Sequence, residues 1–226
     1  MMKLSFGFAV VCGFAIADDL TKARDAQDRA ALDKLSAQYS TAAAQKPNDV
    51  QALYQSALAQ SYVAEVATEV GDKNRARTAA ETGIKSAQRA VSLKPESAEY
   101  HRILGTLCGQ VIPANVLAGL KWGNCARDEV EKAVSLDPKS AMNYVSRGVG
   151  NYYLPSALGG GVDKAIQDFQ KAETIDPQLA DAQQWLGIAF RKAGRNAEAH
   201  KALEKAVALN PARAWTKTQL EKTASK

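Results

Sequence analysis

Histidine is almost missing from this chain. His101 and His200 are the only two in 226 residues, and cysteine is held to three, Cys12, Cys108 and Cys125. A structural zinc site wants four nitrogen or sulfur ligands, and His101, Cys108 and Cys125 would supply three. Catalytic signatures are missing as well. No His-Glu-x-x-His helix, Gly-x-Ser-x-Gly turn or Gly-Lys-Ser/Thr phosphate loop occurs. Gly159-Gly160-Gly161-Val162-Asp163-Lys164 has the glycines of a phosphate loop without its ending. It reads as a plain turn, with Asp163 accepting from the first amides of the following helix. His101 reads as a semi-buried structural residue and His200 as a surface one. With no nucleophile, acid–base pair or cofactor motif to assemble, the expectation is a non-catalytic chain with no cofactor and no metal.

Charge and apolar runs are also in short supply. Lys plus Arg exceed Asp plus Glu by 29 − 24 = 5, spread along the chain, and only Lys217–Lys226 is locally basic. A nucleic-acid face would gather basic residues with aromatics between them, and none does. Nor is there the run of about 20 apolar residues that a membrane-spanning helix needs. The nearest is Leu4–Phe14, placed after Lys3 and leading through Ala15-Ile16-Ala17 into Asp18-Asp19. A positive start, a short apolar run and an Ala-x-Ala site describe a secretory signal peptide over 1–17, cleaved after Ala17. Lipidation at Cys12 is the alternative, although Val11 before it is a poor match to the small residue wanted. The location expected is therefore secreted and periplasmic. In such an oxidising compartment the remaining two cysteines form an even pair.

What the chain does have, at 46% hydrophobic residues, is a core's worth of apolar side chains in a repeating order. An alanine stands five residues before a proline at Ala42/Pro47, Ala90/Pro95, Ala133/Pro138, Ala172/Pro177 and Ala206/Pro211. Small alanines let helices approach closely, and proline stops one helix and starts the next loop. Leu93, Leu136, Ile175 and Leu209 share one apolar position between them, where the first copy has Gln45. Each unit has an outgoing helix keyed by a small residue (Ala57, Gly105, Gly148, Gly187) and a return helix keyed by Gly83, Ala126, Ala165 or Ala199.

The last unit, Ala180–Pro211, resembles a tetratricopeptide repeat. Leu186-Gly187, Phe190, Ala199, Ala206 and Pro211 fall on the template, Leu203 replaces its Phe, and Trp185 lies two residues after the template Trp. The resemblance extends over about 47–213 and weakens toward the N-terminus. It implies an all-α, right-handed α-solenoid of helix-turn-helix repeats. The domain expected is 18–226: an N-terminal helix (18–46), repeats at 47–95, 96–138, 139–177 and 178–211, and a capping helix and tail (212–226). Successive prolines are 48, 43, 39 and 34 residues apart. The extra residues fall at the turn within each unit, which predicts helices that lengthen toward the N-terminus and a wedge-shaped stack.

In this family the outgoing helices line an inner, concave surface that holds a protein or peptide. The resemblance thus implies a partner-binding set of Tyr54, Leu58, Tyr62, Arg102, Thr106, Gln110, Met142, Val149, Tyr152, Tyr153, Gln184, Ile188, Arg191 and Lys192. Tyr54, Leu58, Val145 and Val149 stand where a chaperone-tail clamp would want Lys, Arg and Asn, which argues against that sub-function. Within the second hairpin, Cys108 and Cys125 sum to nearly the same number as the keyed pair Gly105/Ala126, so the two should face each other. Two reduced core thiols and a disulfide are both open there. The function expected is a non-catalytic protein- or peptide-binding scaffold of the cell envelope. The second reading is a solute-binding accessory subunit of an envelope transporter, with Tyr152, Tyr153 and the glycine turn lining a pocket.

Overall fold

In all five copies of the Ala–Pro spacing, the alanine carbonyl accepts the backbone N–H four residues on. The bonds are Lys46 to Ala42 (3.1 Å), Lys94 to Ala90 (3.0 Å), Asp137 to Ala133 (3.0 Å), Asp176 to Ala172 (2.9 Å) and Asn210 to Ala206 (2.9 Å). Proline follows at once and ends the helix. The computed structural model, which describes residues 12–114 and 116–224, is built from this unit. Its helices are α1 (Cys12–Asp25), α2 (Arg29–Gln45), α3 (Val50–Glu69), α4 (Lys73–Leu93), α5 (Ala98–Val111), α6 (Val116–Leu136), α7 (Ala141–Tyr153), α8 (Val162–Ile175), α9 (Ala180–Lys192), α10 (Asn196–Leu209) and α11 (Ala214–Ala224). No strand occurs among the described residues. The fold is an all-α tetratricopeptide-type solenoid.

Each hairpin (α3/α4, α5/α6, α7/α8, α9/α10) closes around its keyed small residue. A Cβ on Gly105 would sit 2.6 Å from Val130, one on Gly148 2.5 Å from Phe169, and one on Gly187 2.5 Å from Leu203. Only hydrogen fits. The outgoing helices α3, α5, α7 and α9 touch one another in turn, with α11 following α9, so they form the inner layer. The apolar interior falls into two main clusters. One runs from Leu20 through Leu107 and Cys108 to Ala118, the other from Ala141 through Phe169 to Ala202.

Three expectations are corrected. The N-terminal stretch is two helices. Gln27 adopts a left-handed φ of 53°, and Asp28 then caps α2 by accepting from the Ala31 amide, which ends α1 and restarts the chain at an angle. The graded wedge forms only in part. Both helices of the first hairpin are long, at 20 and 21 residues, but in the second only α6 is, at 21 against 14 for α5. There a 3-10 turn at Ile112–Ala114 takes up residues, because Pro113 cannot continue the ladder. In the third hairpin the extra residues form the 3-10 turn Ser156–Leu158 after Pro155, and α7 and α8 stay short. The helix after the glycine turn is capped by Gly161 and not by Asp163, which lies inside its first turn.

Candidate functional site

Four aromatic side chains meet on the inner layer of the C-terminal half. Tyr152 and Tyr153 end α7, Trp185 comes from α9, and Trp215 from α11. Their ring centroids are 5.0 Å apart for Tyr152–Tyr153, 5.8 Å for Tyr152–Trp185, 6.3 Å for Tyr153–Trp185 and 5.5 Å for Trp185–Trp215. Phe169 stacks behind Trp185 at 6.1 Å, joining the patch to the core. The Lys192 ammonium lies 4.1 Å from the Tyr152 ring centre and donates to the Tyr152 carbonyl at 2.6 Å. Tyr153 is 56% exposed. A rigid aromatic platform with one open tyrosine and an edge cation is the composition of an interface hot spot.

Beside it lies a buried ionic cluster in which the two ends of the solenoid meet. Arg213, 1% exposed, donates to Glu65 at 2.8 Å, to Glu69, and to the Arg24 carbonyl at 3.1 Å. Arg24 pairs with Asp25 at 2.8 Å and with Asp181 at 3.3 Å, and its guanidinium sits 4.9 Å above the Tyr62 ring. Asn210 donates to Asp25 at 2.8 Å, and Gln27 to Glu69 at 2.8 Å. Two arginines thus face four carboxylates. Burial, then the neighbouring Glu65 charge, push the Glu69 carboxyl up to about 7 against the pull of Arg213. Burial opposes the charge on Arg24, but Asp181, Glu65 and Asp25 together hold its guanidinium well above its ordinary value.

The inner-face residues picked out from sequence mostly turn toward their own neighbours. Tyr54 donates to Glu99 at 2.7 Å, and Arg102 grips the same carboxylate at 2.6 and 2.7 Å. Burial opposes the Glu99 charge, yet Arg102 and the Tyr54 hydroxyl hold its carboxyl below the ordinary value. Gln110 bonds Ser61 twice, each at 3.1 Å, and Arg102 and Thr106 both reach Ser146 at 3.4 Å. Gln184 accepts from Thr216, and Arg191 donates to Gln219 at 2.7 and 3.0 Å. Leu58 packs on the N-terminal cluster, Met142 and Val149 pack on the C-terminal one, and Ile188 is buried. These residues stitch each repeat to the next. Tyr153 and Lys192 remain exposed.

Other sequence candidates settle simply. Cys108 and Cys125 are joined, with S–S 2.02 Å and Cα–Cα 5.9 Å, which takes both sulfurs out of any metal set with His101. His101 is buried between Glu129 (2.5 Å) and the Pro95 carbonyl (2.8 Å). His200 bonds Thr223 of α11 at 2.8 Å. Cavities of about 500 and 190 Å³ lie at α1/α2 and beside Trp122, and neither is lined by Tyr152 or Tyr153.

Trp185, Trp215 and the whole ionic cluster escaped the sequence reading. Trp185 is off the template position, and Trp215 lies in the segment 212–226 expected as a capping helix and tail. One signal was present: Glu65 and Glu69 are like charges at i, i+4 on a helix rich in valine and alanine, an arrangement that costs stability unless a cation answers it.

A family model described as Regulator of microtubule dynamics protein 1-3 matches residues 14–157, and one described as Tetratricopeptide repeat matches 180–213. Among curated relatives, Regulator of microtubule dynamics protein 3 of Mus musculus is 26% identical over 136 residues, which is 53% of this chain and 29% of that protein. The Xenopus laevis protein of the same name is 28% identical over 160 residues, 63% of this chain and 34% of its own. The chain thus spans about a third of the length of these relatives. Of solved structures, TTC0263, a thermophilic TPR protein of Thermus thermophilus, superposes with a TM-score of 0.65 at 18% identity, covering 92% of this chain and 98% of that one. This last likeness concerns the fold alone.

The matches overturn the secreted, periplasmic location expected from residues 1–17. The relatives are animal proteins, from organisms without a periplasm, and are named for microtubule dynamics. The family match also starts at residue 14, inside the segment expected to be removed. Helix α1 runs through the expected cleavage point at Ala17 and buries Leu20 and Ala23. The apolar run Leu4–Val11 lies outside the described residues, as does the side chain of Cys12. With its match reaching across well over half of the residues, the chain belongs to the Regulator of microtubule dynamics protein 1-3 family.

Proposed function

We propose that this chain is a non-catalytic protein-binding solenoid that docks its partner on the Tyr152, Tyr153, Trp185 and Trp215 patch, with Lys192 at the edge. The single observation that carries the reading is Tyr153, 56% exposed and packed on the Tyr152 and Trp185 rings. Tyrosine and tryptophan offer large contact area at low conformational cost, and a platform already rigid keeps the ordering cost of binding small. The other inner-face residues named from sequence act as frame, holding successive repeats at the angle that brings the aromatics together. The names of the relatives suggest a partner connected with microtubule dynamics.

The test is capture of tubulin, microtubules and associated proteins by the purified chain and by Tyr153→Ala and Trp215→Ala variants whose helix content is unchanged. A partner retained by the parent and released at least ten-fold more readily by Tyr153→Ala supports the patch. Retention of every partner by both variants sinks it.

A further inference from the structure

We propose that α1 is a detachable strap, seated by Leu20 and Arg24 on the inner layer, and that a partner helix presenting a leucine and an arginine one turn apart takes that seat in its place. The inference rests on the inner layer being the binding surface, and four observations carry it.

First, the seat is built for a guanidinium. Arg24 lies over the Tyr62 ring at 4.9 Å with Asp181 at 3.3 Å. Arg213 repeats the arrangement next door, 5.8 Å from the Trp215 ring and against Glu65 and Glu69. A planar cation between an aromatic face and carboxylates is what arginine recognition requires. The surplus of carboxylates over arginines also favours a cationic occupant.

Second, the strap is held largely by polar contacts that a partner could replace. Among its described side chains Leu20, Ala23, Arg24 and Asp25 are buried, and Arg213 bonds the Arg24 carbonyl, Asn210 bonds Asp25 and Gln27 bonds Glu69. Third, a cleft of about 500 Å³ lined by Asp19, Lys22, Ala26, Ala31 and Leu35 opens between α1 and α2, so α1 is loosely packed on its sequence neighbour. Fourth, the link between them carries a left-handed non-glycine residue, Gln27 at φ 53°. Such a backbone conformation is disfavoured and persists only while its surroundings hold it. Departure of α1 would release the Gln27 side chain from Glu69, 2.8 Å away. Buried ion pairs add little to this balance, since desolvation offsets most of their attraction, and an incoming leucine–arginine pair would restore what Leu20 and Arg24 leave behind.

The probe is a labelled synthetic peptide of residues 13–27, titrated onto the full chain and onto its Arg24→Ala variant. The expected result is binding at least ten-fold tighter to the variant, whose seat is vacated. An Arg24→Ala peptide should bind neither chain. Hydrogen exchange of the variant should show lost protection in α1 alone, with α3–α10 unchanged. Equal affinity of the peptide for both chains overturns the strap, as does loss of protection throughout the variant, which makes α1 an integral part of the core. An Arg24→Lys chain, expected to fall between the two, reports the same competition with the charge retained. None of these readouts uses Tyr153, so failure of the aromatic patch and failure of the strap are separate results.

Discussion

The guanidinium of Arg213 donates to the backbone carbonyl of Arg24 at 3.1 Å, joining residues 189 positions apart. Through this bond and the carboxylates around it, the turn before α11 is tied to α1 and α3. A solenoid normally transmits stability from each repeat to its neighbour; this one also has a direct tie between its ends.

Replacing Arg213 with alanine is expected to cost about 3–5 kcal/mol, since it strands buried Glu65 and Glu69 without their cation. Chemical denaturation read by circular dichroism measures the loss. Arg213→Lys should recover only part of it, because one ammonium cannot serve both carboxylates and the Arg24 carbonyl at the guanidinium's spacing. A loss below about 1 kcal/mol for the alanine variant would remove the cluster from any structural role.

The same cluster sets a pH dependence. Glu69 has its folded-state value raised to about 7, above the ordinary value it regains on unfolding, so the folded chain holds its proton more readily. Its contribution is fully present below about pH 4.5 and is lost as pH rises through 7. Glu99 and Glu173 are lowered in the folded state, Glu99 by Arg102 against the opposing effect of burial, and Glu173 chiefly by the Lys205 hydrogen bond. Their contribution is present above the ordinary carboxylate value and fails as pH falls through their depressed values. Stability should therefore decline on both the acid and the alkaline side of a mildly acidic maximum. Thermal melts of Glu69→Gln between pH 5 and 8 should be flatter than those of the parent, and an unchanged slope would refute the assignment to Glu69.

Cys108 and Cys125 close a loop with a sequence separation of 17, for which the chain-entropy estimate is about 3 kcal/mol. A Cys108→Ser/Cys125→Ser chain should lose about that much, and reduction of the parent should give the same midpoint. Mass spectrometry of alkylated, unreduced protein checks the bond directly: two labelled thiols would mean that it is absent.

Gly187→Ala is expected to destabilise by about 1–3 kcal/mol through overpacking, because its new methyl would lie 2.5 Å from Leu203 and 3.0 Å from the Ala199 carbonyl. Gly150→Ala makes a fair control, since a Cβ there meets nothing within 4 Å, and it should be neutral or slightly stabilising by helix propensity. A denaturation series with both variants tests the close approach; equal stabilities would contradict it.

The hairpins were legible because their physics is local. An alanine that admits a neighbouring helix and a proline that ends its own helix lie five residues apart, and Gly187 or Gly105 shows where two backbones must touch. The inner face was legible only by helix side. Tyr54, Arg102, Gln110 and Arg191 do lie on the inner layer, but whether such a side chain meets solvent or Glu99, Ser61 or Gln219 depends on the angle between repeats. Tyr152 and Tyr153 were picked out, while Trp185 and Trp215 were not, because their meeting needs three helices from different repeats. The N-terminal apolar pattern suggested export, and the family it belongs to points elsewhere.

By itself, then, the sequence determined the repeat, its helix pairs, the small residues at their crossings and the placing of Cys108 opposite Cys125, all set by contacts within some 20 residues. Tertiary structure alone decided that α1 lies on the inner layer and that Arg24 and Arg213 share a buried nest of carboxylates. Small rotations between repeats add up along a solenoid, and only their sum brings the two ends together. Local periodicity carries no information about that sum.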